Sequence, residues 1–401
     1  MRKLYIFLFA LLFSSSIFAQ WTQQNTNFAT TSRGIKYLHP VDTSVVWATA
    51  YDGVTTTNYI CEYTRTSDGG NTWTSGEMTG YTSGYGTSMI CGYDALTAWV
   101  PVWNATSGGG AIIKTTDGGT TWNAQTTATF TAPNGFPNVV HFWNADTGFC
   151  MGDPNDGYFE IYTTTDGGTN WIRVNSTDIP ANVSGEYGVT GYYSVVGSTV
   201  WFSTNKSNIF KSSDYGQTWS LITTPVVADK QFAVKFRSLN DGIIKMNESP
   251  YTTYETHNGG ATWTMLGYNG NWYNNDFCYV PGTTDTWVSV GADATTPFMG
   301  ISYSTDGGQN WTDFANMDTT QHLTVAFASN ERGWSGAFYN YGNDGMFRYD
   351  GTMFAIDTCA SYAASFSQSA DTVDLAYSGQ VDFTDLSGPS PYSWAWLFGD
   401  G

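Results

Sequence analysis

Six segments of this 401-residue chain repeat one pattern, and that repetition limits what it can fold into more than any other feature. The first reads Thr66-Ser67-Asp68-Gly69-Gly70-Asn71-Thr72-Trp73, and the others occupy residues 115–122, 164–171, 212–219, 256–263 and 304–311. Each has a hydroxyl seven residues before a tryptophan, Asp five before it and Gly three before it. The acidic position is Asp68, Asp117, Asp166, Asp214, Asn258 and Asp306, and the tryptophans are Trp73, Trp122, Trp171, Trp219, Trp263 and Trp311. Successive tryptophans lie 49, 49, 48, 44 and 48 residues apart, the length of a four-stranded propeller blade. The local chemistry is that of a hairpin. Asp accepts hydrogen bonds from nearby backbone N–H groups, Gly supplies positive φ, and Trp anchors the turn in the sheet.

A second repeat sets the number of blades. About 25 residues before each hairpin comes a turn and a short apolar strand, at 45–49, 97–102, 148–152, 199–203, 242–246, 286–290 and 333–337. That makes seven. The seventh is followed by a degraded hairpin at 347–354, which keeps Gly351 but loses the Asp and Trp positions. Trp21-Thr22-Gln23 reads as a strand that follows such a hairpin, without a hairpin before it. The expectation is that this N-terminal strand completes the last blade and removes both free sheet edges. Composition agrees with an all-β chain: aromatics are 17%, charged residues only 12%, and there are 44 glycines.

The repeat resembles the Asp-box, or BNR repeat, of sialidases, xyloglucanases, sortilin and photosystem II assembly factor-like proteins. The resemblance implies a seven-bladed Asp-box β-propeller over residues 20–360, with the box as a structural turn on the outer rim, remote from the ligand face. Residues 361–401 break the period. The run Trp396, Phe398, Gly399, Asp400 and Gly401 resembles the first half of a PKD domain, an immunoglobulin-like β-sandwich, here truncated. This implies that further C-terminal domains follow.

Residues 1–19 read as a signal peptide, with Arg2 and Lys3 ahead of an apolar run at 4–13 and a small residue at Ala19. The run is too short to span a bilayer, and no later segment is apolar enough to be transmembrane. A secreted or outer cell-surface address is expected. The five cysteines, Cys61, Cys91, Cys150, Cys278 and Cys359, are scattered and suggest neither a disulfide framework nor a zinc site. A net charge of -19 excludes nucleic acid as a partner, because phosphate neutralisation needs clustered Lys and Arg.

Fold-level analogy places propeller ligands over the channel, on the loops opposite the box hairpins. The loop Gly152-Asp153-Pro154-Asn155-Asp156-Gly157 is the sharpest candidate. Three readings are open: an Asx-Pro and Asp-Gly turn, a calcium site on Asp153, Asn155 and Asp156, or acid and base for glycoside hydrolysis, with Glu186 as a further acid. Trp272 and Tyr273, and Tyr339 and Tyr341, sit in polar loops where rings stack on sugars or supply protein contact area. The alternative for Trp272 and Tyr273 is packing against neighbouring loops. Glu248, Asp178, Asp293 and Asp344 are further loop carboxylates that spacing does not pair.

Enzyme resemblances fail by absence. A sialidase needs an arginine triad, and Arg65, Arg173 and Arg348 fall beside box hairpins. No zinc motif, nucleophile elbow or phosphate loop appears, and His141 lies in an apolar strand as a packed residue. The leading expectation is a non-catalytic binding or adhesion protein whose loop face takes a glycan or a protein. The alternatives are an extracellular glycoside hydrolase using the loop carboxylates and an assembly or scaffold factor. No cofactor is required, and calcium is the one the loop could take.

Overall fold

The computed structural model describes residues 20–55, 58–81, 84–226, 229–246, 251–293, 298–315, 317, 320–338, 345–351, 366–368 and 383–385. The expected signal peptide, Tyr339, Tyr341, Glu248, Asp344, Cys359 and the Trp396 to Gly401 run lie outside these residues. The chain divides into a unit of residues 1–353 and a unit of 354–401.

The first unit is an all-β, seven-bladed propeller. Each blade is a four-stranded antiparallel sheet, and in the second blade the inner strand is split into Tyr85–Thr87 and Cys91–Gly92. The other inner strands, from blade 1 and blades 3 to 7, are Arg33–Pro40, Pro137–Phe142, Gly188–Val196, Phe232–Phe236, Asp276–Tyr279 and His322–Ser329. The seven apolar segments expected from sequence are the second strands, from Val46–Asp52 in blade 1 to Arg332–Ala337 in blade 7. Blade 7 is closed as expected. Trp21–Gln24 pairs with Met346–Asp350, so that the first and last parts of the propeller share a sheet.

The hairpin chemistry is the same in all six repeats. Thr66 Oγ1 accepts from Gly70 N at 2.9 Å and donates to Asp68 Oδ1 at 2.8 Å. Asp68 Oδ1 also accepts from Thr72 N, and Oδ2 accepts from Thr72 Oγ1. Asn258 preserves the arrangement with one bond reversed, its Nδ2 donating to Thr262 Oγ1 at 2.8 Å. The hydrogen bonds hold the Asp68 carboxyl down at about 2, although it is exposed.

Between blades, the core is aromatic. The hairpin tryptophans pack at the seams: Trp122 of blade 2 meets Trp47 and Tyr63 of blade 1, and Trp219 of blade 4 meets Phe149 of blade 3. Trp171 of blade 3 stands 5.7 Å from Phe142, which itself stacks at 3.6 Å on Trp99 of blade 2. Trp263 and Phe236 repeat this in blade 5, with Phe236 stacked on Trp201 of blade 4. Blade 7 has no hairpin tryptophan, and Trp21 takes the place, 5.9 Å from Phe327 and edge-on to it. Such aromatic pairs add about 0.5–1.5 kcal/mol each beyond their burial.

A cation just before the hairpin ties several blades to the next. Arg65 Nε donates to Gly118 O, Lys114 Nζ to Gly167 O, Lys211 Nζ to Gly259 O and Arg348 Nη1 to Gly69 O. Arg65, Lys114 and Lys211 also lie over the rings of Trp47, Trp99 and Trp201. Arg173 differs from Arg65 and Arg348. It faces Glu160 at 3.7 Å and Asn155 O instead of a hairpin glycine.

In the second unit, the described residues form one antiparallel pair, Phe366–Gln368 with Phe383–Asp385. Among the described residues no helix is long and apolar enough to cross a membrane.

Candidate functional site

The inner strands enclose a central channel with a cavity of about 930 Å³. Each blade contributes, blade 2 through Met89 and Ile90 between the two pieces of its inner strand. Lys36, Tyr37 and His39 come from blade 1, Asn138 and His141 from blade 3, Tyr192 and Tyr193 from blade 4, Lys235 from blade 5, Asp276 and Cys278 from blade 6, and Thr324 from blade 7. Asp153 is the one residue of the expected acidic loop that lines it.

Inner strands are apolar where they pack between blades, so these polar residues stand out by facing the channel. Blade 4 departs from the regular pattern. Gly188 pairs with Thr204 and Tyr193 with Phe202, so the register slips across residues 189–192. The slipped segment is a bulge, which re-aims side chains at a site. Gly191 sits in it with φ +76, and an added Cβ would stand 2.8 Å from Tyr37 Cε1. Blades 1 and 4 are not neighbours, so Tyr37 reaches across the channel.

Asp153 and Asn138 hold the bulge to blade 3. Asn138 Nδ2 donates to Asp153 Oδ1 at 2.6 Å, and Gly188 N donates to the same oxygen at 3.0 Å. Thr190 Oγ1 donates to Asn138 Oδ1 at 3.0 Å. Burial pushes the Asp153 carboxyl up to about 6, against the pull of these two donors. Asp276 is differently placed. Its Oδ2 accepts from Thr324 Oγ1 and Val325 N, and Lys235 Nζ is 3.9 Å from its Oδ1.

The basic groups of the channel are shifted by burial too. The Lys36 ammonium, which donates to Thr87 O, is pulled below the ordinary lysine value. Burial takes His39 down to about 4, with Nδ1 accepting from Gly92 N, and His141 to about 3, with Nδ1 unpartnered among the described residues. Both imidazoles are therefore neutral at pH 7. His141 packs edge-on to Trp143 and Tyr193, consistent with a packed residue that also borders the cavity.

The other sequence candidates are dispersed. Asp156 occupies the exposed turn after Asn155, with φ +60, and does not line the cavity. Asn155 Nδ2 donates to Glu160 Oε1 at 3.3 Å. Among the described residues no group of three or more His, Cys, Asp or Glu is arranged to hold a metal ion. Glu186 is buried and fully engaged, accepting from Thr204 Oγ1, Asn208 Nδ2 and Val183 N.

Trp272 and Tyr273 are not open rings. They are 4% and 3% exposed. Trp272 stacks on Trp311 at 4.5 Å, and Tyr273 donates its hydroxyl to Asp313 Oδ1 at 3.1 Å. The loop is pinned to the last hairpin of blade 6 by Asn269 N to Gln309 O and Trp311 N to Asn269 O, which turns both rings inward. The packing alternative is the one observed.

Sequence reasoning missed Lys36, Tyr37, Asn138, Tyr193 and Asp276 as site residues. The available signal was a polar or large aromatic residue inside six of the seven short inner strands, weak in any one blade and informative only once the blades are aligned.

No protein-family model matches the chain, and no curated protein does. Solved structures do. YCF48 bound to D1 peptide is 17% identical, with a TM-score of 0.57, covering 83% of this chain and 98% of that one. YCF48 from Cyanidioschyzon merolae is 15% identical at TM-score 0.58, covering 82% and 98%. The GH74 xyloglucanase from Xanthomonas campestris is 13% identical at TM-score 0.57, covering 84% of this chain and 54% of that one. At these identities the likeness shows a shared seven-bladed β-propeller fold.

Proposed function

We propose that this chain is a secreted or cell-surface, non-catalytic binding protein whose loop face and channel mouth receive a segment of a partner protein. In this reading the six hairpins are Asp-boxes, and residues 361–401 begin a PKD-like module that acts as a spacer. The observation that carries it is the loop face, where the inner strands begin and the second strands end. Val54, Tyr59, Val183, Tyr187, Tyr251 and Phe298 are exposed on its loops, and aromatic side chains of this kind supply protein contact area. That the similar propeller YCF48 is bound to a D1 peptide adds support for a protein over a glycan. So does the burial of Trp272 and Tyr273, which withdraws two of the rings expected to stack on sugar.

A glycoside hydrolase is the second reading, favoured by Asp153 and Asp276 lining one cavity. Against it, both Asp276 oxygens are engaged by the scaffold.

The test is selection of a displayed peptide library on the full chain, beside a glycan array run with Ca²⁺ and with chelator and assayed for reducing-sugar release. Peptide capture without sugar release is expected. Sugar release that disappears in Asp153→Asn would turn the assignment to a hydrolase, and glycan binding without peptide capture would turn it to a lectin.

A further inference from the structure

We propose that Asp153 is the recognition carboxylate for a lysine or arginine side chain that the partner segment inserts into the channel. This rests on the protein-binding reading above and names the chemistry of its central contact.

Asp153 is partnered on one oxygen only among the described residues. Its Oδ1 is held by Asn138 Nδ2 and Gly188 N, while among the described residues Oδ2 receives no hydrogen bond and no basic side chain pairs with the group. Buried Glu186 also has no cation, but both its oxygens accept hydrogen bonds, and other buried or half-buried acids of the propeller face a basic side chain. Asp52 and Glu62 share Arg33, Glu160 faces Arg173, and Asp276 faces Lys235. A carboxylate withdrawn from water without a cation is costly. Here it stands on the wall of a cavity large enough for a long side chain and its neighbours.

The carboxylate is also aimed. Asn138 is fixed in turn by Phe136 O and by Thr190 of the bulge, so the orientation of Asp153 is set by two blades. The same cavity presents the rings of Tyr37, Tyr193 and His141, flat faces against which a guanidinium or an aliphatic stem packs. The acidic chain, at -19, matches a basic partner.

The probes are N-acetylarginine amide, its neutral isostere N-acetylcitrulline amide, agmatine, and peptides selected from the displayed library, each titrated calorimetrically into the full chain. Saturable binding of the arginine amide is expected, weaker by at least about tenfold for the citrulline amide and for the Asp153→Asn chain. Asp156→Asn, on the exposed turn, is expected to leave binding unchanged and serves as the control. Thermal unfolding of Asp153→Asn verifies that the variant is folded, and Asp153→Glu, which keeps the charge, is expected to retain part of the affinity.

Selected peptides that lack Lys and Arg and bind Asp153→Asn as well as the native chain would overturn this inference and leave the protein-binding reading standing. Asp153-dependent binding of the arginine amide with no peptide selected would overturn the protein-binding reading and the partner side chain with it, leaving Asp153 as a site for a small guanidinium compound. Binding of agmatine with no arginine peptide bound would assign the site to a free organic cation and overturn the assignment to a partner side chain.

Discussion

The ring of Tyr37, carried by the inner strand of blade 1, lies across the channel against Gly191 of blade 4, so near that a Cβ on Gly191 would stand 2.8 Å from its Cε1. Gly191 also has φ +76, which an L side chain adopts at a cost. Gly191→Ala is therefore expected to destabilise the propeller by about 1–3 kcal/mol. In a Tyr37→Ala background the steric part is relieved and only the backbone part, about 1 kcal/mol, is expected to remain. A double-mutant cycle in urea midpoints reads the difference. Equal costs in both backgrounds would show that the two residues do not meet.

Ring closure depends on Trp21. It is 5% exposed and packs edge-on to Phe314, Phe327 and Tyr349, doing for blade 7 what a hairpin tryptophan does elsewhere. Trp21→Ala is expected to cost about 3–5 kcal/mol and to expose the edge of Met346–Asp350, which Trp21–Gln24 covers. Faster hydrogen exchange at Arg348 and Asp350, with blade 4 unaffected, would show local opening of the seam. Uniform exchange across all blades would show that the ring unfolds as one unit instead.

These two cases also mark how far sequence reading reached. Strand order, blade count and the closing strand were legible because each hairpin carries its own tryptophan at a fixed offset, and a gap in that series is as informative as a match. Asn258 in place of Asp leaves the pattern recognisable, since an amide oxygen accepts the same local bonds. Of the site, Asp153 was legible from its loop, but the rest was not, because those residues arrive one to three at a time from inner strands separated by some fifty residues each. The slip at 189–192, which brings Gly191 against Tyr37 across the channel, has no local signature beyond Gly191. Trp272 and Tyr273 were ambiguous for a different reason. An Asn- and Gly-rich loop reads the same whether it stands in water or is pinned to the next hairpin.

Lys245 is 1% exposed and has one described hydrogen bond, to Asn274 Oδ1 at 2.6 Å, with Trp272 as a second contact. Burial lowers it from the ordinary 10.5 to about 7. Between those values the unfolded chain holds more protons than the folded one, so stability rises with pH through this window. Lys245→Met is expected to remove that slope. It should be more stable than the native chain at pH 7, by about 1–2 kcal/mol, with the advantage gone at about pH 10. Guanidinium unfolding at both pH values checks it. A variant less stable at pH 7 would mean that the Asn274 bond and the Trp272 contact outweigh the burial of the charge.

Asp153 titrates in the opposite sense. Its carboxyl is raised from 3.8 to about 6, first by burial and further by the charge of Glu160 on the neighbouring strand, while the nearby ring of His141 is uncharged across this range. Between those two values the folded chain holds more protons than the unfolded one, so stability falls as pH rises from about 4 to about 6 and stays reduced above it. Asp153→Asn, which keeps an oxygen for the Asn138 and Gly188 donors, is expected to abolish this fall. The variant should be more stable at pH 7.5 by up to about 2 kcal/mol, a shift of a few degrees in the unfolding midpoint, and equal to the native chain at about pH 4. A basic side chain bound at Asp153 compensates the same burial, so the arginine amide should stabilise the native chain more at pH 7.5 than at pH 4.5 and leave Asp153→Asn unmoved at both. Stabilisation that is independent of pH would place the cation elsewhere in the channel, beside Asp276.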